Sequence, residues 1–147
     1  AEKEISGEDD ATGESAAVEA KAKYQNNHLT EEQKKEYLVA ILTCMDAQKP
    51  YLDPDITIKD LSAMTGITLH NISQVINDLL GKNFFTFMNQ YRIQYACALL
   101  SDAQSEESII SVCFNSGFNS KSVFNAVFKR HAGVTPSEFR KKISDGK

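Results

Sequence analysis

Residues 58–81 run IKDLSAMTGITLHNISQVINDLLG, and residues 109–133 run IISVCFNSGFNSKSVFNAVFKRHAG. Laid over each other, they repeat. Ile58, Leu61, Gly66 and Ile67 match Ile109, Val112, Gly117 and Phe118 at an offset of 51. Thr68, Ile72, Val75, Ile76, Gly81 and Phe87 match Ser120, Phe124, Val127, Phe128, Gly133 and Phe139 at an offset of 52. The single inserted residue falls at Asn119, in a turn. Each copy spaces its apolar residues three and four apart, breaks at a glycine, restarts behind a hydroxyl residue able to cap a helix, and stops at a second glycine. A short helix, a tight turn and a capped second helix form a helix-turn-helix unit.

Working outward, Phe84, Phe87, Met88, Tyr91, Tyr95, Ala98 and Leu99 form a stripe that predicts a helix over about 84–101. Such a helix is about 25 Å long at 1.5 Å per residue. It can hold two second helices roughly 34 Å apart, the length of one turn of DNA. Upstream, Thr30 and Gln33 form a capping box before Tyr37, Leu38, Ile41, Leu42 and Met45, which predicts a helix over about 30–47. Pro50 and Pro54 then make a rigid connection. Thr57 and Asp60 pair as a second capping signal, opening a short helix with Ile58, Leu61 and Met64 inward. Downstream, Thr135-Pro136-Ser137-Glu138 starts a last helix reaching about Ile143. No stretch alternates with a period of two. The fold class is all-α: two helix-turn-helix subdomains on a long linker helix, with an extra N-terminal helix. The first unit spans about 57–81 and the second about 108–133, within a domain of residues 30–147.

Charge is distributed unevenly. Residues 1–36 hold ten acids and five lysines, residues 37–80 five acids and two lysines, and residues 81–147 nine bases and five acids. Residues 1–29 are rich in Glu, Asp, Ala, Ser and Gly and hold too little apolar surface to offset ordering, so they are expected to form a disordered acidic arm or linker. The basic C-terminal part suits a polyanionic partner. Cys44, Cys97 and Cys113 are odd in number, lack a C-x-x-C pair and sit in helical apolar patterns, which suggests buried thiols in a reducing compartment. His28, His70 and His131 lie in distant segments without metal-ligand spacing, and there is no phosphate-binding glycine loop. No catalytic residue, metal ligand or cofactor is expected. The aromatics Phe84, Phe85, Phe87, Tyr91 and Tyr95 are expected in the core or between the units.

The second unit, with Ile109, Val112, Gly117-Phe118, Phe124, Phe128-Lys129-Arg130, Gly133, Thr135-Pro136 and Phe139-Arg140, resembles the DNA-binding domain of the AraC/XylS transcription regulators. The first unit fits the same pattern through Leu61, Gly66, Ile72, Gly81, Arg92, Ala96 and Leu99-Leu100, so the resemblance covers about residues 30–143. Ser62 and Cys113 stand where alanine is usual, and Asn77 and Asp78 where basic residues are common, which weakens the electrostatic hold of the first unit.

The resemblance implies sequence-specific binding of double-stranded DNA, with each second helix in a major groove and its N-terminal residues at base edges. By position in the family pattern, His70, Ser73 and Gln74 face bases from the first unit. In the second, Lys121 and Ser122 do so, with Asn125 on the same outward face. Gln and Asn can pair with adenine, and Lys with guanine. Thr68, Ser120, Lys129, Arg140 and Lys141 are the candidates for phosphate, which positions the domain without reading sequence. Arg92, in mid-helix between Tyr91 and Tyr95, is expected to pair internally or to snorkel rather than to contact DNA. The implied partners are promoter or operator DNA, RNA polymerase and a sensor domain outside this chain. The fragment itself is expected to be a monomer. The expected compartment is the cytoplasm, either free or as the cytoplasmic part of a membrane-anchored regulator. The competing reading is a helix-turn-helix module that docks another protein, which the acidic first unit favours.

Overall fold

The computed structural model describes residues 29–146, so the expected arm of residues 1–29 lies almost wholly outside the described residues. The chain divides at Gln33–Lys34. Of residues 1–33, the described part opens a helix through reciprocal bonds: Thr30 N donates to Gln33 Oε1 at 2.9 Å, and Gln33 N donates to Thr30 Oγ1 at 3.0 Å. The described elements are α1 (Glu31–Gln48), a 3-10 turn (Pro50–Leu52), α2 (Ile58–Thr65), α3 (Leu69–Leu80), α4 (Phe84–Ser101), α5 (Ile109–Asn115), α6 (Lys121–Ala132) and α7 (Pro136–Asp145). The described residues are thus all-α, with α2–α3 and α5–α6 as the paired units and α4 between them.

Each helix from α2 to α7 starts on a side chain that accepts a backbone N–H of its first turn: Thr57, Thr68, Asn83, Ser108, Ser120 and Thr135 in order. These caps satisfy donors that a helix start otherwise leaves open. In α7 the box is reciprocal, and hydrogen bonds from Thr135 hold the Glu138 carboxyl below the usual carboxylate range. The turns of both units carry a matching brace. Ser62 Oγ donates to Ile67 O at 2.5 Å, and the equivalent Cys113 Sγ reaches Ser120 O at 3.8 Å. The two departures from alanine therefore pack and also tie each first helix to the entry of its second.

The second unit closes around α4. Ile93, Ala96 and Leu100 join Val112, Cys113, Phe118, Phe124, Val127 and Phe128 in one core, with Phe139 of α7 against it. In the first unit, Leu61, Ile72, Val75 and Ile76 are fully buried, as are Ile41 and Met45 of α1 and Met88 of α4. Three sequence expectations need correction. Met64 is 36% exposed, because three-residue steps fall about 60° short of a full turn and carry it off the face centred on Leu61. Ala98 of the expected α4 stripe is exposed. α4 buries Phe87 and Met88 in its first half and Ile93, Ala96 and Leu100 in its second, so no single stripe runs its length. Phe85 is 70% exposed rather than in the core or between the units, having turned about 100° from its half-buried neighbour Phe84.

Burial pushes up the thiols of Cys44, Cys97 and Cys113 and the phenols of Tyr51 and Tyr91. Folding therefore favours their neutral forms. That stability is fully present below the unfolded-chain values, about 8.5 for a thiol and about 10 for a phenol. It is lost as pH rises through the raised folded values. Under reducing conditions the unfolding temperature is expected to drop by roughly several degrees between about pH 8 and about pH 10.5. A flat thermal profile over that range would count against burial of these groups.

Candidate nucleic-acid interface

A recognition surface needs side chains that leave the core while their helix stays fixed to it. α3 meets this by burying Ile72, Val75 and Ile76 completely. His70 and Ser73 are exposed on its other side and Gln74 is half-buried, so the three candidates share the outer face near the N-terminal end. α6 repeats the arrangement over Phe124, Val127 and Phe128. Lys121 and Ser122 are exposed in its first turn and Asn125 is half-buried one turn on. Lys121 and Asn125 also line a shallow cleft with Ile109, Ile110, Thr135, Pro136 and Ser137, so the start of α7 flanks this end of α6.

Thr68 and Ser120 sit at the two caps. Each hydroxyl accepts a backbone N–H at 3.3 Å, from Asn71 and Val123 respectively. The hydroxyl hydrogen stays available to an outside acceptor such as phosphate. Lys129 is exposed but lies about 12 Å along α6 from Lys121, at the opposite end from the base-facing candidates. Lys141 is exposed. Arg140 is half-buried, and its Nη2 is buried with no hydrogen-bond partner among the described residues. Sequence reasoning missed Val123, which is 48% exposed beside Ser122. The signal was present, since Phe124, Val127 and Phe128 already fill the inward face and leave Val123 at its edge. An apolar side chain there can contact a thymine methyl group.

The first unit's acidity also has a structural explanation. Lys34 of α1 is 6% exposed, and its Nζ lies 3.0 Å from Asp78 Oδ2 in the last turns of α3. Asp78 thus faces a lysine from α1, which lessens its repulsion of a polyanion and fastens α3 to the extra N-terminal helix. Arg92, set aside as internal, is 7% exposed. Its Nε donates to Tyr51 O at 2.6 Å, Nη2 to Asp53 O at 3.0 Å and Nη1 to Asn89 Oδ1 at 2.8 Å. Burial lowers its pKa while the Asp53 charge opposes that shift. Among the described residues, no group of three His, Cys, Asp or Glu is placed to hold a metal, and no helix is long and apolar enough to cross a membrane.

Known proteins share this fold. Among solved structures, the chain is similar to a transcriptional regulator of the AraC-type DNA-binding group from Chromobacterium violaceum, with a TM-score of 0.64 and 21% identity over 74% of this chain and 93% of that one. It is also similar to the C-terminal domain of AraT, a response regulator from Geobacillus stearothermophilus, with a TM-score of 0.60 and 22% identity over 70% of this chain and 84% of that one. Those likenesses establish the fold. In sequence it is 32% identical over 92 residues to the melibiose operon regulatory protein of Escherichia coli, covering 60% of this chain. It is 29% identical over 107 residues to an uncharacterized HTH-type transcriptional regulator of Haemophilus influenzae, covering 73% of this chain. A family model described as a helix-turn-helix domain matches residues 61–142, more than half of the chain. The chain belongs to the AraC/XylS family. This is a family of DNA-binding transcription regulators. The chain spans only 29% and 33% of the length of these two relatives. In this chain α3 and α6 each present an exposed face over a buried one.

Proposed function

We propose that this AraC/XylS domain binds double-stranded DNA sequence-specifically, with α3 and α6 in successive major grooves on one face of the duplex, and so regulates transcription. The observation that carries this reading is the pair of outward faces, His70-Ser73-Gln74 and Lys121-Ser122-Asn125, held on one 18-residue helix. That helix is about 25 Å long at 1.5 Å per residue, a length suited to neighbouring groove turns. Thr68, Ser120, Lys129, Arg140 and Lys141 supply phosphate contacts. Promoter or operator DNA is the direct partner, RNA polymerase the machinery acted on, and a sensor outside this chain the source of the signal. One chain carries both reading helices, so the binding unit is a monomer.

The test is selection of bound duplexes from a random pool, followed by footprinting. The expected footprint is asymmetric, covers about two major-groove turns and holds one chain per paired box. Protection confined to one turn would leave the basic second unit as the sole reader. The competing reading, a protein-docking module, gains less from the first unit's acidity now that Asp78 is seen to face Lys34. Salt separates the two, since affinity through several phosphates falls steeply with salt.

Within this reading, Lys121→Ala should relax preference at one or two base pairs at a cost of about 1–3 kcal/mol. Lys141→Ala should weaken all sequences alike and flatten the salt slope by about one unit. Arg140→Ala is a poorer phosphate probe, because its half-buried guanidinium would alter packing as well. Indistinguishable sequence profiles for the Lys121 and Lys141 variants would overturn this division into readers and positioners.

A further inference from the structure

The two helix-turn-helix units are joined twice. α4 is the covalent join. The second runs through the Pro50–Leu52 turn, which leads into the first unit: Ile56 N donates to Asp53 O at 3.2 Å, and Thr57 caps α2 directly after. On one side the Tyr51 ring packs against Tyr91 and Tyr95 of α4, with centroids 5.4 and 6.2 Å apart. On the other, the Tyr51 carbonyl meets the turn of the second unit. An added Cβ on Gly117 would lie 2.2 Å from that oxygen and 3.0 Å from both Leu52 Cα and Arg92 Nε. Arg92 sits at the junction, bonded to the Tyr51 and Asp53 carbonyls, with its guanidinium carbon 5.9 Å from the Phe118 ring centre. Its planar fork of donors can hold two carbonyls in fixed directions, which a lysine ammonium on a flexible stem does not reproduce.

We propose that Arg92 is a positioning residue that sets the register between the two recognition helices, by locking the lead-in of the first unit against the Gly117-Phe118 turn of the second. This rests on the paired-groove reading above. One base pair inserted between two boxes moves the second by about 3.4 Å and turns it by roughly 34°. A rigid pair of helices should resist that change, and a loosened pair should follow it.

The experiment uses the 147-residue chain and the selected paired-box duplex, with none, one or two base pairs inserted between the boxes. Wild type is expected to lose about tenfold in affinity for each inserted pair, comparable to losing one good base contact. Arg92→Met should lose under about threefold per inserted pair, while its affinity for the isolated second box stays within about twofold of wild type. Asn89→Ala removes one acceptor of the guanidinium at lower risk to folding and should give an intermediate loss of discrimination. It decides the matter if Arg92→Met does not fold, and unchanged discrimination in Asn89→Ala would then count against the proposal. A variant as selective for spacing as wild type, or one weakened equally on single and paired boxes, would overturn the role of Arg92. Wild type indifferent to spacing would instead remove the paired-groove reading, and this inference with it.

Discussion

Gly117→Ala is expected to lower the stability of the chain by about 2–5 kcal/mol, against about 1–2 kcal/mol for alanine at Gly66, Gly81 or Gly133. All four glycines have positive φ, 99° at Gly117 and 78°, 66° and 81° at the others. The left-handed backbone costs an L side chain about 1–2 kcal/mol at each. What separates them is space. Beside Gly66, Gly81 and Gly133 a new Cβ meets nothing within 4 Å, whereas at Gly117 it meets the Tyr51 carbonyl oxygen at 2.2 Å. That oxygen is backbone and is bonded to Arg92, so it cannot swing aside as a side-chain tip would. Overpacking of this kind adds about 1–3 kcal/mol or more. Urea unfolding of the four single variants measures the contrast directly. A Gly117→Ala protein as stable as Gly66→Ala would mean that the Tyr51 segment is not held against this turn.

That contrast marks the limit of what the sequence could say. Gly66 and Gly117 occupy the same place in the repeat, and both are needed for the turn. Their difference comes from Tyr51, far away in the chain, which periodicity cannot report. The same holds for Arg92, whose two backbone acceptors lie 39 and 41 residues upstream, and for Lys34 with Asp78. Local signals were legible because their physics is local. Thr57, Thr68, Ser120 and Thr135 cap where a hydroxyl stands before a helical run, and the inward faces of α3 and α6 follow from spacing. α4 was misread in part because it serves different partners at its two ends, and a single stripe cannot describe it. The candidate site was legible as two outward faces. Val123 escaped notice because an apolar residue beside an apolar face looks inward until the face is seen to be full.

Phe124→Ala is expected to cost about 3–5 kcal/mol, the usual range for removing a buried aromatic ring. Phe124 is fully buried beneath α6, with Phe118 at 5.2 Å and Phe128 at 5.7 Å between ring centres. Phe128 in turn meets Phe139 of α7 at 5.6 Å. Truncation opens a cavity in the middle of this run and loosens α6 from α5 and α7 together. It leaves Lys121, Ser122 and Asn125 chemically unchanged, so any loss of DNA binding would come from their support. The loss should therefore track unfolding: binding to the second box falls at temperatures where the variant melts and recovers on cooling, with base preference unaltered. Lys121→Ala should do the reverse, keeping the melting temperature within about 2 °C of wild type, as expected of an exposed residue, while changing preference. Phe124→Leu keeps much of the volume and should cost about 1–1.5 kcal/mol. If Phe124→Ala altered base preference while the chain stayed fully folded, the division between a buried scaffold and an exposed reading face on α6 would not hold.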